Sequence, residues 1–301
     1  FDMTIRNHKL RAGIAFGTAI ATPLATVQAQ AQNNEDYTVV RAEGGMSESK
    51  FTQAKIGEVD EDVFHDRGLY GSVEFVRSVN NGWDWSVSAT SQDLGTILTI
   101  AEDDGLGFLD TSFSSRSIDF DLGKNFQRKN MNLRLSAGLT ALQTEEQKGI
   151  DILNGPPEGY PLASNVSNKY LGIGGRLGMD AKLRLGENSP FSIFAGASTA
   201  ITRGEHDMLK GTNFIDDLDE NSSSQITNSQ LTNVEVSQRM IYSANVNHTS
   251  ANIGLEVDAG NNTTFRIGVR HDKYSFDDDM FPLVGESISG NTGYVGVAIR
   301  F

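Results

Sequence analysis

Apolar and polar residues alternate strictly along much of this chain, with the two-residue period of a β-strand that shows its two faces to different surroundings. The clearest stretch is 131–141. There Met131, Leu133, Leu135, Ala137, Leu139 and Ala141 fall on one side, and Asn132, Arg134, Ser136, Gly138 and Thr140 on the other. Residues 171–185 repeat it, with Leu171, Ile173, Leu177, Met179, Ala181, Leu183 and Leu185 opposing Gly172, Gly174, Arg176, Gly178, Asp180, Lys182 and Arg184. A soluble sandwich would have to bury those charges, whereas an apolar face turned to lipid leaves them in a wet interior.

Shorter segments carry the same pattern. Trp83, Trp85, Val87 and Ala89 oppose Asp84, Ser86, Ser88 and Thr90; Ile118, Phe120 and Leu122 oppose Asp119, Asp121 and Gly123. Phe191, Ile193, Ala195 and Ala197 form another face, as do Ile253, Leu255 and Val257, and Phe265, Ile267 and Val269. Gly71, Val73 and Phe75 alternate less cleanly, and Thr38, Val40, Ala42 and Gly44 least of all. Tight connections, with Asn and Gly to supply positive φ, fall at 78–82, 126–130, 186–190 and 260–263. Long ones fall at about 47–67, 92–113, 143–168, 205–240 and 277–290. Tight periplasmic turns alternating with long extracellular loops predict an all-β, antiparallel up-and-down transmembrane barrel of ten strands. Eight is the alternative, if the first two candidates are not barrel strands.

Composition narrows the reading. After residue 31 no segment has the length and apolarity of a membrane-spanning helix, so a membrane crossing must be made by a closed barrel. Residues 1–31 read as a signal peptide: Arg6, Lys9 and Arg11 precede the apolar run 12–21, with Val27-Gln28-Ala29 and Ala29-Gln30-Ala31 as cleavage sequences. Residues 32–301 are then the barrel with its acidic loops. The whole chain carries a formal charge of −14, which argues against nucleic acid as a partner. There is no cysteine, which excludes a disulfide scaffold and thiol chemistry.

The last strand carries the most specific signal. Val295, Val297, Ile299 and Phe301 share the lipid side, and the pattern resembles the terminal signal by which barrel-assembly machinery recognises outer-membrane proteins for insertion. Four further blocks point the same way: Asn81-Gly82-Trp83-Asp84-Trp85-Ser86-Val87, Ser117-Ile118-Asp119-Phe120-Asp121-Leu122-Gly123-Lys124, the run from Tyr170 to Asp180, and Ile253-Gly254-Leu255-Glu256. In order and spacing they resemble the Legionella-type major outer-membrane protein family. That resemblance implies a pore-forming protein of the bacterial outer membrane with no catalytic residues, surrounded by lipid and lipopolysaccharide and passing small solutes or ions.

The inward parity assigns Arg134, Arg176, Lys182, Arg184, Arg266, Arg270 and Arg300 to the lumen, facing Glu74, Asp84, Asp119, Asp121, Asp180, Glu256 and Asp258. Equal numbers of each sign predict ion-pair networks and at most a narrow path, because a ten-stranded barrel is far narrower than a porin of 16 to 18 strands. Two other functions compete with the pore. An outer-membrane anchor would present the acidic loops, with 205–240 as the contact segment. A barrel enzyme would use His248-Thr249-Ser250 with Asn252, which resembles the His-x-Ser arrangement of lipid A deacylases. Parity turns those side chains into the lumen, away from acyl chains. The acidic runs near 58–62, 102–104, 216–220 and 277–279 lack EF-hand spacing, so no metal or cofactor is expected.

Overall fold

The computed structural model describes residues 37–51, 61–65, 67–101, 107–152, 161–186, 189–214, 234–260, 262–277 and 287–301. The signal-peptide expectation, the acidic runs at 102–104 and 216–220 and much of the expected contact loop lie outside those residues. The described residues form eleven strands: β1 Thr38–Phe51, β2 Glu61–His65, β3 Gly68–Val79, β4 Trp83–Ala101, β5 Gly107–Arg128, β6 Met131–Ile152, β7 Pro161–Arg184, β8 Phe191–Phe214, β9 Val234–Gly260, β10 Thr263–Asp277 and β11 Ser287–Arg300. Every pairing among them is antiparallel.

Ten of these strands are staves of one closed ring, in the order β1, β3, β4 through β11 and back to β1. The eleventh, β2, pairs only with residues 97–101 at the far end of β4 and so continues the line of β3. Both of the weakly alternating N-terminal segments are full staves, which sets the eight-stranded alternative aside. Closure satisfies every edge, as hydrocarbon requires. The seam is finished by Phe301 N donating to Thr38 O at 2.8 Å and Thr38 N to Phe301 O at 3.2 Å.

The outer wall is apolar. Ile118, Leu139, Leu171, Ile173, Leu177 and Val295 stand 59–67% exposed, an arrangement that only lipid makes favourable. Trp83, Phe126, Phe191 and Phe265 stand outward beside the short turns, forming an aromatic girdle at that interface. Asn81 at φ 66° and Gly82 at φ 73° turn β3 into β4, and Gly260 at φ 76° with Asn262 at φ 64° turn β9 into β10. These are the turns that the Asn and Gly clusters predict.

The long connections begin later than alternation suggests. Strands run on to Phe51, Ala101, Ile152 and Phe214, and the next ones resume at Glu61, Gly107, Pro161 and Val234; only β10 stops where alternation suggests, at Asp277. On β8 the outward positions pass from Ile201 to Arg203, Glu205 and Asp207, so the ladder continues beyond the apolar belt with polar residues on its outer face. Backbone pairing persists there while the hydrophobic alternation that reveals it disappears.

Candidate functional site

Strand pleating sends every second side chain into the ring, so the interior is built from one short row per stave. Near the short turns these rows are charged. Arg134 of β6 reaches past β5 to Asp84 of β4, with Nη2 at 2.7 Å and Nε at 3.0 Å from Asp84 Oδ1, and donates to Ser86 Oγ at 3.1 Å. Asp180 lies 3.5 Å from the same guanidinium. Arg176 pairs with Asp121 and stands 3.9 Å from Asp119, whose other oxygen accepts from Thr140 at 2.5 Å. Arg266 lies 2.7 Å from Glu43 and 3.0 Å from Glu256, which also pairs with Lys182; Phe194 lies under its guanidinium at 4.0 Å.

Around these pairs lies a cavity of about 120 Å³, lined by Arg41, Glu43, Glu74, Asp119, Asp121, Arg134, Arg176, Asp180, Arg266 and Arg270 together with Ser and Thr hydroxyls. A second cavity, of about 160 Å³, shares Arg41, Glu74, Arg134, Asp180 and Arg266 with it and extends to Tyr37, Asn125 and Asn132 at the short-turn end. His248, Ser250 and Asn252 line the first cavity, on the inner face that parity assigns them. His248 Nε2 lies 3.0 Å from Asp272 Oδ1 and its ring stacks on Tyr274 at 4.5 Å. Among the described residues no group of three or more His, Asp or Glu side chains is disposed to hold a metal ion.

Three of the residues assigned to the lumen stand at its rim. Arg184 and Asp258 are exposed beside the turns, Asp258 accepting from Gly260 N at 3.1 Å, and Arg300 is exposed over the Tyr37 ring at 4.3 Å. Sequence reasoning missed Arg41 and Glu43 because β1 alternates weakly; Arg41 pairs with Glu74. It also missed Asp272, which Arg270 grips with Nε and Nη2 at 2.8 Å each and to which Gln92 donates at 3.2 Å. Arg270 and Asp272 share a face at a spacing of two, which is the signal that could have found the pair.

Further toward the long loops the interior changes character. Leu94, Phe113, Leu142, Tyr170, Val246, Tyr274 and Ile288, drawn from seven staves, are 0–2% exposed and pack as one cluster. The interior is thus a charged chamber on one side and an apolar layer on the other.

An apolar outer wall, an aromatic girdle, a closed antiparallel ring and a charged interior together define an outer-membrane β-barrel. A family model described as Legionella pneumophila major outer membrane protein precursor matches residues 24–264, and the chain belongs to that family. Comparison with curated proteins found no match. Among solved structures it is similar to the outer membrane protease OmpT from Escherichia coli, at 11% identity and a TM-score of 0.45, covering 91% of this chain and 99% of that one. It is also similar to a major outer membrane protein from Thermus thermophilus, at 11% identity and a TM-score of 0.37, covering 89% and 100%.

Proposed function

We propose that the protein is a narrow pore for small ions in the outer membrane. The observation that carries this reading is the charged chamber. A barrel serving only as an anchor could fill its interior with neutral side chains, because buried ion pairs cost desolvation that apolar packing avoids. Here arginines and carboxylates from several staves surround a cavity of about 120 Å³, room for roughly four waters at the volume each occupies in the liquid. Both signs line the wall, so the chamber would pass small ions with little preference between anion and cation.

A second reading has its own support. The apolar layer crosses the lumen, as it would in a closed anchor. Planar-bilayer recording of the refolded protein separates the two: discrete, reproducible conductance steps are expected of the pore. Their absence, with the barrel folded and the layer intact, favours the anchor.

A further inference from the structure

We propose that the layer formed by Leu94, Phe113 and Tyr274 is a valve, a dry constriction latched by one tyrosine hydroxyl, which opens by displacement of side chains while the barrel ladder stays intact. As a device of conduction the valve rests on the pore reading; as the seal of the lumen it stands on geometry alone.

The layer spans the full width of the ring. β5 and β10 are diametrically opposite, five steps apart by either route round the ten staves. Yet Tyr274 Oη of β10 lies 2.7 Å from Ser115 Oγ of β5, and also donates to Gln92 Oε1 at 3.2 Å. The rings of Phe113 and Tyr274 meet with centroids 5.0 Å apart, and Phe276 closes edge-on against Phe113 at 6.4 Å. Leu94 fills the remaining arc: a Cβ built on Gly290 of β11, three staves from β4, would lie 2.3 Å from Leu94 Cδ2. Leu94 thus occupies space that any side chain at position 290 would need. An apolar constriction of this kind bars ions by excluding their water, without any charge of its own.

The regular ladder is interrupted at the backbone that carries Leu94. On one side, β4 pairs with β3 only as far as Gln92 and its partner Tyr70, and pairing resumes with Ile97 and His65 of β2. On the other side the register with β5 shifts between Asp93 and Thr96. Gly95 takes φ 80° there, and its N donates to Asp93 Oδ1 at 2.9 Å. A bulge next to a functional position re-aims a side chain, and here it presents Leu94 to the lumen where the register with β5 shifts, between the stretch of β4 that pairs with β3 and the stretch that pairs with β2. Opening therefore requires Leu94 to withdraw and Tyr274 to release Ser115 and Gln92, with no transmembrane strand unpaired.

The test is single-channel recording of the full-length refolded protein in potassium chloride, with heat-modifiable mobility as the check of folding. Tyr274→Ala with Leu94→Ser is expected to raise open probability at least about tenfold over wild type. Ser115→Ala, which removes one of the two hydrogen bonds of the latch and leaves the ring packing in place, is expected to raise it by a smaller factor and guards against a double variant that does not fold. Folded variants with the open probability of wild type overturn the valve. So does silence of wild type and of every folded variant. If wild type is silent and the variants conduct, the seal stands and the native pore does not.

Discussion

Arg134 and Asp84 sit two staves apart and meet over Gly123 of the stave between them. A Cβ at that glycine would lie 2.5 Å from Arg134 Nε and from Asp84 Oδ1. The missing side chain on β5 is what lets a guanidinium on β6 reach a carboxylate on β4, so a pair 50 residues apart in sequence forms across an intervening strand. Asp84→Ala leaves a largely buried guanidinium with only the Ser86 hydroxyl at 3.1 Å and a more distant carboxylate, Asp180, at 3.5 Å. The expected loss of stability is about 3 kcal/mol, measured by urea unfolding in lipid vesicles. An unchanged midpoint would show that the chamber's water already screens the pair.

Leu135 lies near the centre of the outward apolar run of β6 and is 44% exposed. Leu135→Arg is expected to cost about 2–4 kcal/mol in vesicle unfolding, the penalty of an arginine at the bilayer midplane. Leu135→Ala at the same position is expected to cost much less, because it removes apolar surface from lipid without bringing a charge into it. Equal effects of the two would move Leu135 out of the hydrocarbon.

Phe301 exchanges two backbone hydrogen bonds with Thr38 at the seam between the first and last staves. Its side chain continues the outward row of Val295, Val297 and Ile299. Deleting Phe301 is expected to leave unassembled protein in the periplasm, visible as loss of the heat-modifiable band from outer-membrane fractions. Normal assembly would remove the insertion role from this residue.

Above the lipid belt, Arg239 of β9 donates to Asp207 of β8 at 2.9 and 2.7 Å, and this bonding holds the Asp207 carboxyl below the ordinary carboxylate range. A depressed pKa stabilises the folded rim above the ordinary value of about 3.9 and withdraws that support as pH falls through the lower, folded value. Amide exchange at the β8–β9 rim is therefore expected to quicken below about pH 4 relative to the rest of the ladder. Asp207→Asn should abolish that extra pH dependence.

The transmembrane half of this fold was legible from the sequence, because lipid and lumen impose opposite chemistry on alternate residues. Leu135 and Arg134 differ by one position and by everything in their surroundings. Legibility faded where that contrast faded. β1 offers Val40, Ala42 and Gly44 to lipid, too small to stand out against Arg41 and Glu43. On β10 the neighbours of Asp272 are His271 and Lys273, so both faces are polar and no alternation marks which way Asp272 points. Leu94, Phe113 and Ile288 were hidden for the converse reason: they are apolar residues on the inner parity, in segments whose outer face no longer meets hydrocarbon.

The strands that outrun the lipid have a consequence for how the molecule can change. β8 continues from Arg203 to Phe214 above the belt, which at the usual rise and tilt of barrel strands is a height of roughly 25 Å. That collar of paired backbone stands between the lipid-facing part of the stave and its end at Phe214. Insertions or exchanges between Phe214 and Val234 would then be felt at the collar's lip and die out before the first lipid-facing residue. Length and sequence at that end of the stave are thereby uncoupled from the part that must insert and seal.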